Sequence, residues 1–91
     1  MTTGPRHWEL LFRTRAVDNQ CFTVGCAPAR ERNGKYVSYA HSIVCDPWGS
    51  IVADAGEDEG VLLCDMDLGE VKTVREQLPV LSARKPKMYR L

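Results

Sequence analysis

"SIVCDPWGSIVAD" (residues 42–54) sets two apolar runs, Ile43–Cys45 and Ile51–Ala53, on either side of Asp46-Pro47-Trp48-Gly49. Proline fixes φ near about −65° at the second turn position, and a glycine two residues later lets the chain close. The stretch therefore reads as a hairpin. Its first strand extends back through "YVSYAHSIVC" (36–45) and its second runs through "SIVADA" (50–55).

On the N-terminal side, "CFTVGCA" (21–27) is a nearly unbroken apolar run. It predicts a strand covered on both faces. "PARERNGK" (28–35) reads as a loop, with Asn33-Gly34 as its turn. Before it, "GPRHWELLFRTRAVDN" (4–19) predicts a helix. Pro5 suits the first turn, and Trp8, Leu11, Phe12 and Ala16 recur on one face. Asp18-Asn19 supplies the stop, since asparagine tolerates a left-handed end.

On the C-terminal side, "GEDEG" (56–60) is an acidic turn and "VLLCDM" (61–66) predicts another strand. Asp67, three residues before Glu70, approximates a capping box. Leu68, Val71, Val74 and Leu78 give a second helix one apolar stripe, which Pro79 ends. Residues 80–91 form a tail. The order is helix, strand, hairpin, strand, helix, tail, a mixed α/β (α+β) class. Two strands read as two-sided, yet only two helices are available to cover them. Uncovered apolar faces imply another layer or another chain.

Ninety-one residues make one small domain, and so short a chain buries only roughly 60–65% of its unfolded surface. Net charge is zero but uneven: residues 1–45 carry +3, residues 46–83 carry −7, and residues 84–91 carry +4. No contiguous basic face results, which argues against a nucleic-acid partner. No apolar run approaches the length of a membrane span. Nothing resembles a secretory leader, so Cys21, Cys26, Cys45 and Cys64 are expected as reduced thiols in a cytoplasmic protein.

Catalytic constellations are scarce. Structural zinc takes closely spaced ligand pairs. Cys21 and Cys26 are five apart on one predicted strand, hence on opposite faces, and Cys45 and Cys64 lie on different strands. A nucleophilic cysteine needs a nearby base and a lowered pKa. Cys45 instead adjoins Asp46, which raises a thiol's pKa, and His41 on the same predicted strand lies about 13 Å away along an extended chain. His7 opens the first helix with no partner evident from the sequence. Glu57-Asp58-Glu59 reads as a solvated turn. Glycine-rich phosphate loops are absent from the sequence. No catalytic residue, metal ligand or cofactor site is assigned on this reading.

The residues do carry a resemblance. "TTGPRHWELLFRTRAVDNQCFTVGCAPAR", "AHSIVCDPWGSIVADAGEDEGVLLCDMDL" and "VREQLPVLSARKPKMY", in that order, resemble the C-terminal portion of the nitrilase superfamily, the carbon–nitrogen hydrolases, and within it the omega-amidases. The likeness runs from Met1 to about Tyr89. It implies part of a four-layer αββα sandwich, with residues 1–91 a partial carbon–nitrogen hydrolase domain ending in the 80–91 tail. Stacked sandwiches imply a homo-oligomer through sheet and tail.

The family's chemistry uses a glutamate base, an oxyanion-stabilising lysine and a cysteine nucleophile that attacks an amide carbonyl and releases ammonia. All three lie upstream of the matched region, so the resemblance carries over no catalytic position. It does imply that Thr2 and Thr3 are substrate-pocket neighbours, beside His7 and Trp8. Arg15, Asp18 and Asn19 match a recurrent helix segment, with ion pairing and capping as their roles. The tail departs from the pattern at Lys87-Met88, where relatives tend to show an acidic residue.

Met1 then resembles an internal methionine. The expectation is an inactive C-terminal fragment of an omega-amidase-like enzyme, cytoplasmic or, for the full-length parent, mitochondrial. The parent's substrate would be a small dicarboxylic acid monoamide. The alternative is a non-catalytic short isoform that binds a full-length hydrolase.

Overall fold

The computed structural model describes residues 2–34 and 36–89. A π-helical turn over Gly4–Trp8 leads into helix α1 (Glu9–Asn19). Pro5 sits in its first turn, where a missing N–H costs nothing. Three strands follow, β1 (Thr23–Gly25), β2 (Ile43–Cys45) and β3 (Ile51–Asp54), then α2 (Gly69–Gln77) and a single turn α3 (Pro86–Tyr89). The sheet is antiparallel in the order β1-β2-β3. Val44 pairs with Val24 on one side and Ala53 on the other.

The central hairpin is held by its turn. Gly49 donates its N–H to the Asp46 carbonyl at 2.9 Å. The Asp46 carboxylate accepts from the N–H groups of Trp48 (3.0 Å) and Ser50 (2.9 Å). Gly49 takes the left-handed conformation, φ +86°. A Cβ there would lie 2.5 Å from Val17 Cγ2, so α1 rests on the turn at the one residue without a side chain. Arg13 adds a hydrogen bond from Nε to the Gly49 carbonyl at 2.7 Å.

The core lies between α1 and β2. Ala16, Ile43 and Cys45 are fully buried, and Trp8 and Phe12, edge-to-face with each other, pack against them. The predicted face of the first helix is thus correct for three of its four members, while Leu11 points outward. On α2 only Val74 is buried and Val71 half-buried; Leu68 and Leu78 remain exposed.

Several expected elements are shorter or absent. The strand expected over 36–45 survives only at 43–45, because Ala40 and His41 adopt φ of 65° and 61° and break the extended run. The strand expected over 21–27 shrinks to three residues, and Val24 is 54% exposed, so β1 is covered by α1 on one face only. Residues 61–66 form no strand among the described residues, and Val61 and Leu63 are 89% and 87% exposed. Strand propensity there finds no neighbour to pair with. The expected capping box does not form: Leu68 takes the N-cap position without a side-chain cap, and the Asp67 carboxylate accepts instead from the Gly69 N–H two residues on, at 2.9 Å.

The stop of α1 also moves by one residue. Gln20, not Asn19, is left-handed (φ 51°), and its N–H donates to Val17 O. The buried Gln20 side chain donates from Nε2 to Leu78 O at 2.5 Å. Arg75 returns hydrogen bonds to the carbonyls of Gln20 (3.2 Å) and Asn19 (3.3 Å). A cation on the last carbonyls of α1 suits the negative end of its dipole. It is also the tie that brings α2 to α1.

The radius of gyration is 16.2 Å, against about 12 Å for a compact chain of this length. The described residues form an extended slab, with Val24, Ile51, Val52 and the 61–66 segment leaving apolar surface open.

Three outcomes follow from this packing. Gly49→Ala should destabilise the chain by about 2 kcal/mol through its forced left-handed backbone, read as a lowered urea midpoint at unchanged slope. Burial, aided by Asp46 and Glu9, pushes the Cys45 thiol up against the lowering effects of Thr23 and Arg13. A raised pKa favours the neutral thiol in the fold. The stability it contributes is full below the ordinary thiol value and is lost as pH rises through the raised one. Cys45→Ala should therefore flatten the alkaline limb of the stability profile. In the folded chain iodoacetamide should label exposed Cys26 first and Cys45 only on unfolding.

Candidate functional site

The chain between β1 and β2 builds the site. Residues 36–41 cannot join the ladder, so their backbone groups need other partners. Arg30 supplies two of them. Its Nε donates to Ser38 O at 3.1 Å and one terminal nitrogen donates to Tyr39 O at 2.9 Å. The other terminal nitrogen forms an ion pair with Glu57 at 2.6 Å. The Arg30 side chain is only 12% exposed, and its guanidinium lies 5.9 Å from the Tyr39 ring centre. Arg32 holds the second Glu57 oxygen at 2.6 Å. Glu57, expected as part of a solvated turn, is instead the shared counter-charge of two arginines.

The left-handed pair at the strap's end is pinned from three sides. The Ala40 N–H donates to Ser38 Oγ at 3.0 Å, and the His41 N–H donates to Gly56 O at 2.8 Å. Trp8 donates its indole N–H to His41 O at 2.7 Å. The His41 ring stacks on Tyr39 with centres 4.4 Å apart, and its Nδ1 lies 3.0 Å from an Asp54 oxygen. His41 is thus engaged with Asp54 and Tyr39. Non-glycine residues with positive φ are strained and cluster at functional sites.

This strap walls a groove of about 260 Å³ lined by Thr2, Thr3, Gly4, Trp8, Ser38 and Tyr39, with Tyr36 at its rim. Thr2 and Thr3, the two residues singled out in the sequence, are exposed and lie side by side in that lining. Thr3 O also accepts from the N–H groups of Arg6 (3.0 Å) and His7 (2.7 Å), which fixes the threonines at the π-turn's mouth. Gly4 permits the close approach of the strap: a Cβ there would lie 2.7 Å from Tyr39 Cγ. His7 itself is exposed and outside the groove lining. Tyr36, Ser38 and Tyr39 were missed as site residues because they read as strand.

The remaining candidates stay apart. All four cysteines are free. Cys45 is in the core, and no group of three or more histidine, cysteine, aspartate or glutamate side chains among the described residues is arranged to hold a metal. No helix of the described residues is long and apolar enough to cross a membrane. The groove offers hydroxyls, aromatic edges and backbone, which suits binding and orientation of a small polar molecule.

Removing the clamp tests its role in the wall. Arg30→Ala frees two carbonyls and leaves Glu57 with one arginine, costing about 1.5–3 kcal/mol locally. Amide exchange at His41 should then speed by about tenfold or more, while exchange in α1 changes little.

The profile of the carbon–nitrogen hydrolase family matches residues 1–76. The omega-amidase of Mus musculus is 45% identical over 89 residues, which are 98% of this chain and 32% of that protein. The omega-amidase of Danio rerio is 46% identical over the same shares. Among solved structures, a Saccharomyces cerevisiae member of branch 10 of the nitrilase superfamily superposes with a TM-score of 0.87 at 45% identity, covering 93% of this chain and 31% of that one. The Caenorhabditis elegans NitFhit protein gives 0.87 at 44% identity, covering 97% and 21%. The chain spans about a third of the length of the omega-amidases it matches. Its mixed helix–strand arrangement with an antiparallel sheet agrees with these nitrilase-fold structures. Matched by the family profile from residue 1 to residue 76, this chain belongs to the carbon–nitrogen hydrolase family of the nitrilase superfamily.

Proposed function

We propose that this chain corresponds to the C-terminal third of an omega-amidase-like hydrolase, where it contributes one wall of the substrate groove. The observation that carries the reading is identity near 45% to omega-amidases across 98% of the chain. On this reading the whole enzyme cleaves the amide of a small dicarboxylic acid monoamide through a cysteine thioester and releases ammonia. Thr2 and Thr3 neighbour that substrate, and the strap of residues 36–41 closes the same side. The 91 residues alone are inactive. The setting of this reading is the cytosol, with the mitochondrion for a full-length parent.

A second reading is favoured by the exposed apolar surface on Val24, Val52, Val61 and Leu63. Here the chain is a short, non-catalytic form that associates with a full-length hydrolase, or with its own copies, through sheet and tail.

Complementation distinguishes these readings. The chain is expressed alone and together with the first two-thirds of the mouse omega-amidase. Ammonia release from monoamides of four- and five-carbon dicarboxylic acids is then measured. Neither part alone should act, and the pair should. Thr2→Ala and Thr3→Ala in the pair should raise KM more than they lower kcat. Cysteine-dependent ammonia release by the 91 residues alone would contradict the proposal. So would failure of the pair where the mouse enzyme's own C-terminal third restores activity. Co-purification with an intact hydrolase, without gain of activity, would favour the second reading.

A further inference from the structure

We propose that Asn33-Gly34 is a site of spontaneous covalent modification, at which Asn33 deamidates through a succinimide formed with the Gly34 nitrogen. Both residues are exposed in a turn outside every helix and strand. Among the described residues two long hydrogen bonds hold the turn: Gly34 N–H to Glu31 O at 3.2 Å and Asn33 N–H to a Glu31 carboxylate oxygen at 3.4 Å. A turn with so few contacts opens at little cost. Glycine at the following position places no Cβ beside the attacking nitrogen and leaves the backbone free to reach the required geometry.

The reaction needs only water and base. The Gly34 N–H loses its proton to solvent, and the nitrogen attacks Asn33 Cγ. The N–Cγ bond forms, the Cγ–Nδ2 bond breaks, and ammonia leaves with a proton from water. Water then opens the five-membered ring at either carbonyl, leaving aspartate or isoaspartate at position 33. The new carboxylate joins a loop in which Arg30 and Arg32 already share Glu57. The isoaspartate route also lengthens the backbone by one methylene, three residues before Tyr36 at the groove rim.

The chain carries its own control. Its other asparagine, Asn19, lies in the last turn of α1, and its Nδ2 donates to Arg15 O at 2.9 Å. The next nitrogen, that of Gln20, closes the end of α1 by donating to both Ala16 O and Val17 O, and the Gln20 side chain is buried. Neither the side chain nor the nucleophile is free to move there. The inference is independent of the amidase reading.

The folded 91-residue chain is incubated at neutral pH and body temperature, and its peptides are mapped by mass spectrometry for the exchange of NH2 for OH. An isoaspartyl methyltransferase reports the isoaspartate share. Asn33 should convert while Asn19 stays intact, and the rate should rise with pH. Gly34→Ala should slow conversion severalfold. That variant is compatible with the turn: Gly34 has no left-handed φ, and the nearest atom to the added Cβ would be the flexible Glu31 Cγ at 3.1 Å, with carbonyl oxygens at 3.4 and 3.5 Å. Three results would overturn the inference: an intact Asn33 in the folded chain while the urea-unfolded chain converts, Asn19 keeping pace with Asn33, or an unchanged rate in Gly34→Ala.

Discussion

Much of the site's geometry depends on one guanidinium. Arg30 is nearly buried, and a charge there is tolerable only if its donors are satisfied and its charge is balanced. Ser38 O, Tyr39 O and Glu57 meet both conditions at once. In return the two carbonyls, which would otherwise belong to a strand, are free to leave the sheet. That release lets Ala40 and His41 turn left-handed and sends the 36–39 strap over the π-turn. A lysine would not substitute, because a point charge cannot address three acceptors in a fixed fork. The groove wall therefore rests on an ion pair that reaches from the first loop to the turn after β3.

The rest of the slab is joined by contacts of the same kind, few and specific. Arg13 reaches the Gly49 carbonyl, Trp8 the His41 carbonyl, and Arg75 the end of α1. In each case a long side chain satisfies a backbone oxygen that no ladder reaches. Apolar burial supplies less than usual, because the core cluster holds three fully buried residues and two partly buried aromatics. Polar ties of this type fix position well and contribute modestly to stability.

This division explains what was legible in the sequence. The Asp46–Gly49 turn was, because Pro47 and Gly49 fix it locally and Asp46 caps its own backbone. The buried face of α1 was legible from spacing alone. The left-handed Ala40 and His41 were not, since neither residue type announces positive φ and their support comes from Arg30, Gly56 and Trp8 in other segments. Residues 61–66 misled for the opposite reason: strand propensity there is strong, but pairing depends on a partner strand. Asn19 looked like the better helix stop by residue type, yet Gln20 takes the position because α2 gives its buried amide a partner. For the site, Thr2 and Thr3 came from family resemblance, whereas Tyr36, Ser38 and Tyr39 were hidden inside a predicted strand.

A family assignment and a groove answer different questions. Identity near 45% across the chain fixes the fold to which these residues belong. It does not by itself say which atoms face a substrate. The lining of the groove depends on the strap, whose course follows from a buried charge seeking acceptors and from a tryptophan N–H seeking a carbonyl. Both demands are met by backbone oxygens, with Glu57 balancing the charge, while Ser38 Oγ and the Tyr39 ring also hold the strap's path. Arg30, Glu57 and Trp8 set where the wall stands, and Tyr36, Ser38 and Tyr39 set what it presents. Arg30 and Glu57 lie outside the lining, so a substitution at Tyr36 changes what the groove presents while the ion pair that positions its wall stays in place.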